Sequence, residues 1–117
     1  MKLGKLIEQV RDIKPCAFSD ETLTEWVNEV EGYVQTRVML LDPVTCLIRY
    51  DWEENQDTEL LVLPPHDKLY RSYLMAMIDF ANGEYDRYEN TMTLYNAQLT
   101  EFMKWFVERY RPADRPC

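Results

Sequence analysis

The chain has 117 residues, of which 46% are hydrophobic and 29% charged, and its formal net charge is −8. This length predicts a single domain with enough apolar residues for a core. Three glycines are too few for a loop-rich or many-turned all-β protein. The acidic balance argues against a free duplex-DNA binder, which usually carries a basic patch.

The cysteines and the apolar runs indicate in which cellular compartment the protein lies. Cys16, Cys46 and Cys117 are an odd number, widely spaced and without a C-x-x-C pair, so we expect neither a disulfide framework nor a zinc site. The first residues lack the continuous apolar stretch of a signal peptide, and no apolar run approaches the ~20 residues that span a bilayer. We expect a reduced, cytosolic protein that makes no membrane contact.

Two helices are predicted in the first third of the chain, at about 3–14 and 20–41. Pro15 stops the first, and Ser19 or Asp20 caps the second. The apolar positions recur at helical spacing, and they are Leu3, Leu6, Ile7, Val10 and Ile13, then Leu23, Trp26, Val27, Val30, Val34, Val38 and Leu41. The acidic residues of the second helix, Glu31 included, are assigned to a solvated surface, or to a face that repels nucleic acid or meets a basic protein.

The next segment, at about 45–63, is predicted as an extended arm or a short β-hairpin. Its β-leaning runs are residues 46–50 and 59–63, with a polar, acidic stretch between them. Lone two-stranded hairpins are marginal in water, whereas a connection longer than about 15 residues in a small domain is often functional. The segment is therefore a candidate for contact with a partner.

Two further helices are predicted at about 66–81 and 84–110. The fourth carries a seam of apolar residues at spacings of three and four, which are Tyr88, Met92, Tyr95, Leu99, Phe102 and Phe106. Asn82 and Gly83 form the strongest turn signal of the chain, although the apolar phase also fits one continuous helix. We favour a break there, which folds the fourth helix back on the third. The whole is then a mainly α, compact bundle of about four helices, with one domain at 1–112 and a disordered tail at 113–117.

Most of the aromatic residues occupy core-facing helix positions, but two tryptophans do not. Trp105 lies off the seam of the fourth helix, and Trp52 lies in the acidic part of the 45–63 segment. A half-exposed Trp is a candidate anchor for a protein interface, and the alternative is that each packs on the domain's own surface. Arg49, Glu53 and Glu54, beside Trp52, complete the set of interface candidates.

Catalytic motifs are weak in this sequence. His66 is the only histidine, and its position at a helix start favours a surface or capping role over catalysis. Glu25 and Glu29, at i and i+4, together with Asp79 resemble the carboxylates with which all-α nucleotide pyrophosphohydrolases hold Mg²⁺, but no basic cluster for a triphosphate accompanies them. We therefore expect no enzyme activity, cofactor, metal or small-molecule substrate, and keep the pyrophosphohydrolase as a third hypothesis.

Two segments resemble a known family of small structural proteins of tailed phages and prophages. Residues 19–43 read SDETLTEWVNEVEGYVQTRVMLLDP, and residues 58–105 read TELLVLPPHDKLYRSYLMAMIDFANGEYDRYENTMTLYNAQLTEFMKW. The order of an acid-rich helix start, a Trp-bearing helix, a variable extended loop, a Pro-bounded helix and a final aromatic helix is similar to that of head–tail connector (adaptor) proteins. The similarity extends over most of residues 10–110.

The resemblance implies a virion structural protein rather than an enzyme. Connectors are helical subunits that form a ring, usually twelvefold, below the portal, and DNA passes through this ring. The implied partners are other copies of the chain and the portal, without sequence-specific DNA binding, and an acidic lumen repels phosphates. The implied location is the bacterial host cytoplasm during assembly and then the head–tail interface. A small prophage regulatory or packaging protein that binds another protein is the alternative.

Overall fold

A computed structural model describes residues 1–41 and 47–109. Its helices are α1 (Leu3–Ile13), α2 (Asp20–Tyr33), the single turn α3 (Trp52–Asn55), α4 (Lys68–Ala81) and α5 (Tyr85–Arg109). The four long helices confirm a mainly helical, compact bundle. The predicted tail at 113–117, Tyr110, Cys46 and Cys117 lie outside the described residues.

The second helix ends earlier than the predicted residue 41. Ser19 is its cap, because the Ser19 hydroxyl accepts the Thr22 N–H at 3.1 Å. After Tyr33 the helix widens into a π-helical turn, Val34–Val38, in which the Met39 N–H donates to the Val34 carbonyl at 2.9 Å. Leu40 then adopts a positive φ of 56°, which ends the helix before Leu41.

Helices α4 and α5 form an antiparallel pair, as the break at Asn82 and Gly83 predicts. Gly83 has φ of 75°, a left-handed conformation that favours glycine after a helix end. Between the two helices, the Ser72 hydroxyl of α4 donates to Gln98 Oε1 of α5 at 2.7 Å. The same pair brings the rings of Tyr73 and Tyr95 to 5.0 Å. α4 begins at Lys68 rather than at the predicted residue 66.

One core joins all four long helices. The seam of α5 contributes Tyr95, Leu99, Phe102 and Phe106, which are at most 8% exposed, while Tyr88 and Met92 are half-buried. α1 buries the first four residues of its apolar face, Leu3, Leu6, Ile7 and Val10, whereas the fifth, Ile13, is 55% exposed. The seam is therefore mainly core, as its spacing predicts.

The predicted β-hairpin is wrong for the described residues. Residues 47–50 and 59–63 form no ladder with each other, and one isolated bridge joins Lys2 to Glu59. Instead, the start of α1 lies against residues 56–60: the N–H groups of Leu3 and Gly4 donate to the carbonyls of Thr58 (3.0 Å) and Gln56 (2.8 Å). The segment is thus packed on the bundle rather than projecting from it as an arm, because its hydrogen bonds go to other elements.

Candidate functional site

Two side-chain amides of the second helix hold residues 47–50 in place. Asn28 Nδ2 donates to the Tyr50 carbonyl at 3.0 Å, and Asn28 Oδ1 accepts the Tyr50 N–H at 2.8 Å. Gln35 repeats this pattern with Ile48, donating at 3.0 Å and accepting at 2.6 Å. A side-chain amide carries the same donor and acceptor as a peptide group, so α2 and its π-turn offer this segment the equivalent of a neighbouring strand.

The pairing with α2 uses one side of the segment and leaves its other side without a partner among the described residues. Ile48 and Tyr50 are two residues apart and both face the helix, which is the period of an extended chain. The N–H and C=O of the intervening residue, Arg49, then point away from α2. The Arg49 backbone makes no hydrogen bond to any other described residue. Within the described parts of the chain, residues 47–50 therefore present a short unpaired edge of the kind that pairs with another strand.

A buried carboxylate, Glu31, lies between the two amides and connects the segment to α4. Its Oε2 accepts the Tyr50 hydroxyl at 2.6 Å and the Leu61 N–H at 3.0 Å, and its Oε1 accepts the Tyr70 hydroxyl. The Tyr70 hydroxyl in turn accepts the Val62 N–H at 2.9 Å. The Glu31 side chain is completely buried, so these bonds replace its hydration.

Burial dominates the protonation of this cluster. It raises the pKa of Glu31 above the ordinary 4.5, although the hydrogen bonds from Tyr50, Tyr70 and Leu61 lower it. Burial, followed by the charge of Glu31, also raises the pKa of the Tyr50 and Tyr70 phenols. Both phenols therefore stay protonated at neutral pH and remain donors to the carboxylate.

Sequence reasoning missed these three side chains of α2. Glu31 was assigned to a solvated or partner-facing surface with the other acids, and Asn28 and Gln35 carried no prediction. A signal was present: Thr24, Asn28, Glu31 and Gln35 recur at spacings of four, three and four, which places them on one face of a helix. All four are at most 7% exposed, so the stripe marks a buried polar seam beside the apolar one.

The predicted interface residues around Trp52 lie together at the surface. Arg49 contacts the carboxylate of Glu25, with Nη2 to Oε2 at 2.6 Å, although its side chain remains 68% exposed. Glu53 and Glu54 are exposed on the α3 turn. Trp52 is half-buried against the core and lines two open grooves of ≈ 580 and ≈ 370 Å³.

The second predicted interface tryptophan, Trp105, lies on α5 and has different neighbours from Trp52. It is 37% exposed, and its ring lies 5.3 Å from that of His66 and 6.1 Å from that of Phe102. His66, which precedes α4, thus packs against two aromatic rings of α5. Trp105 and Trp52 both combine contact with their own domain and exposure to solvent.

The carboxylates required by the pyrophosphohydrolase hypothesis have separate surroundings. Glu25 contacts Arg49, and Glu29 accepts the Tyr73 hydroxyl at 3.1 Å. Asp79 is 2% exposed, with Oδ1 2.5 Å from Lys14 Nζ. Across the described parts of the chain, no group of three or more His, Cys, Asp or Glu side chains is arranged to hold a metal ion.

None of the helices within residues 1–41 and 47–109 combines the length and apolar character needed to cross a membrane. Comparison of the chain with protein-family models found no match, and neither did the comparisons with curated proteins and with solved structures.

Proposed function

We propose that this chain is a non-enzymatic structural subunit of a phage or prophage particle, which acts through protein–protein contacts in the manner of a head–tail connector. The two segments that resemble connectors, 19–43 and 58–105, supply most of the helical bundle. The proposed partners are neighbouring copies of the chain in a ring and the portal above them. The proposed place of action is the head–tail interface, reached from the host cytoplasm.

The observation that carries the proposal is the free edge at residues 47–50. A segment that merely joins two helices does not need two buried amides and a buried carboxylate to fix its path. Their desolvation opposes folding by a few kcal/mol for each unpaired group, and the pairing that compensates for it holds the segment in one defined shape. Such preorganisation lowers the entropy lost when a partner binds, and an extended edge accepts a partner strand through main-chain bonds.

Two features of the surface also support the proposal of an assembly subunit. A ring with head-to-tail contacts needs two different patches on each copy, and the chain has two separate half-exposed tryptophans, Trp52 and Trp105. We assign the patch of Trp52, Arg49, Glu53 and Glu54 to one side of this contact. The net charge of −8 suits a conduit that DNA passes without sticking.

The test is the size and symmetry of the assembly with and without the portal encoded nearest this chain in its own genome. Light scattering should give a small species for the chain alone, and electron microscopy should show a ring once portal is added. Binding to another protein without a ring would favour the regulatory or packaging alternative. Failure to bind portal or virions would refute the connector.

A matched pair of variants tests the edge itself. Arg49→Ala removes the side chain and its contact with Glu25 but keeps the outward N–H. Arg49→Pro removes both, and it leaves the bonds of Ile48 and Tyr50 to α2 available, since the Arg49 N–H has no partner among the described residues. We expect Arg49→Pro to weaken portal binding at least about tenfold more than Arg49→Ala, because a main-chain hydrogen bond and the ladder beyond it are lost. Equal binding by the two variants would refute strand pairing at this edge.

A further inference from the structure

A second surface, remote from the Trp52 patch in the sequence, has the chemistry of a binding site. It is a groove of ≈ 270 Å³ where the end of α2 meets α4 and α5. Tyr33, Tyr73 and Tyr95 line it together with Glu29 and Asn96, and the buried Val30 and Leu99 lie at its floor. Each of the three helices thus contributes one tyrosine to a single concave surface.

The tyrosines and the carboxylate are mutually oriented. The Tyr73 hydroxyl donates to Glu29 Oε2 at 3.1 Å, and the rings of Tyr73 and Tyr95 lie 5.0 Å apart at 57°. Burial, followed by the nearby Tyr33 phenol, raises the pKa of Tyr95 to about 12. The groove therefore combines three aromatic rings with a carboxylate that is exposed to solvent.

We propose that this groove binds the side chain of a lysine on a partner protein. The ammonium would lie near Glu29 and the accessible faces of Tyr33, which is 42% exposed, and the half-buried Tyr73. Its aliphatic stem would cross the rim of the groove, whose floor is formed by Val30, Tyr95 and Leu99, each at most 8% exposed. The inference does not rest on the connector proposal, since it requires only a partner that presents an exposed lysine.

Charge complementarity selects this occupant. Among the described residues, the lining of the groove contains one carboxylate, Glu29, and neither Lys nor Arg. No basic side chain of the lining therefore neutralises the charge of Glu29. Aromatic ring faces attract cations, and a lysine ammonium within about 6 Å of several rings gains from each. A lysine also has a long apolar stem, which fits the mixed apolar and acidic lining better than a compact cation does. An acidic side chain would be repelled, and a second copy of this chain, at −8, is a less suitable source of the lysine than a basic partner.

The experiment is a titration of the full chain with the peptide acetyl-Gly-Lys-Gly-amide, followed through the ring resonances of Tyr33 and Tyr73. The comparison peptide carries acetyl-lysine, which has a similar stem without the charge. We expect saturable shifts with the lysine peptide and binding about tenfold weaker, or undetectable, with acetyl-lysine. Equal binding of the two peptides, or no saturable shift with the lysine peptide up to about 10 mM, would overturn the proposal.

Two variants and one control locate the site. Glu29→Gln removes the charge but keeps an oxygen that accepts the Tyr73 hydroxyl, and we expect affinity for the lysine peptide to fall about fivefold. Tyr33→Leu, at a position 42% exposed, removes a ring without opening the core and should weaken binding by a similar factor. Glu25→Gln, one turn earlier on α2, changes the net charge equally and should leave the affinity unchanged. Equal losses in Glu25→Gln and Glu29→Gln would show an effect of overall charge alone and would overturn the site.

Discussion

The buried carboxylate of Glu31 gives the most demanding prediction of the fold. Glu31→Leu keeps a side chain of similar bulk while it removes the only acceptor that the structure gives to three donors. These donors are the hydroxyls of Tyr50 and Tyr70 and the N–H of Leu61. The variant therefore separates the loss of hydrogen bonds from the opening of a cavity.

The magnitude follows from the exposure of these donors. Each buried donor left without an acceptor destabilises the fold by about 1–3 kcal/mol. The tyrosines are 4% and 0% exposed, so both hydroxyls count in full, whereas Leu61 is half-buried and its N–H can reach water. Relief from burying a carboxylate offsets part of the loss. We expect the free energy of unfolding to fall by about 3 kcal/mol, a large share of the roughly 5–15 kcal/mol of a domain.

Urea unfolding at pH 7, followed by far-ultraviolet circular dichroism, measures this loss, and the melting temperature should fall by about 10 °C. The control is Glu29→Leu, an exposed position on the same helix, which should change stability by less than about 1 kcal/mol. In the Glu31→Leu background, Tyr50→Phe should recover part of the lost stability, because it removes one of the two buried hydroxyls that have lost their acceptor. A Glu31→Leu variant as stable as Glu29→Leu would refute a stabilising role for this cluster.

Three other predictions concern protonation, the extended segment and two glycines. The folded pKa of Glu31 lies above the unfolded value of 4.5, so the stability that its protonated form contributes is present in full below pH 4.5 and is lost as pH rises through the folded pKa. Over that window the free energy of unfolding of wild type should fall relative to that of Glu31→Gln, at up to ~1.4 kcal/mol per pH unit. A difference in stability between the two proteins that does not change with pH would contradict this. Gln35→Ala, which releases one end of residues 47–50, should speed tryptic cleavage after Arg49 and lower stability by about 1–2 kcal/mol, and an unchanged cleavage rate would contradict the pairing. In thermal unfolding, Gly83→Ala should be destabilised by about 1 kcal/mol, because the φ of Gly83 is 75°. Gly32→Ala should be stabilised by up to about 1 kcal/mol, because the added Cβ would meet no atom within 4 Å. A stabilised Gly83→Ala together with a destabilised Gly32→Ala would contradict the backbone conformations described for these two glycines.

The helices were predictable because their apolar periodicity is strong. The seam of the last helix, from Tyr95 to Phe106, and the apolar face of α1 from Leu3 to Val10 both occupy the core. The turn at Gly83 was predictable from residue type, because a left-handed conformation after a helix favours glycine. In each case the signal is local in sequence, so no knowledge of distant contacts was needed.

The candidate site was not predictable in the same way. The β-leaning residues 47–50 suggested a hairpin, but their partners are Asn28 and Gln35, side chains some 13 to 22 positions away on a helix. Pattern-based reasoning pairs strand-like runs with each other and has no rule for a side chain that replaces a strand. The buried Glu31 was overlooked for a related reason: acids are almost never buried without a partner, and its partners, Tyr50 and Tyr70, come from distant parts of the chain.

Hydrogen–deuterium exchange of residues 48–50, in the free chain and in its complex with the portal, tests the central proposal most directly. The amides of Ile48 and Tyr50 bond to α2 and should exchange slowly in both states. The Arg49 amide should exchange rapidly in the free chain and become protected when portal binds, because the partner strand supplies its acceptor. An Arg49 amide that exchanges equally fast with and without portal would contradict the assignment of this edge to the assembly contact.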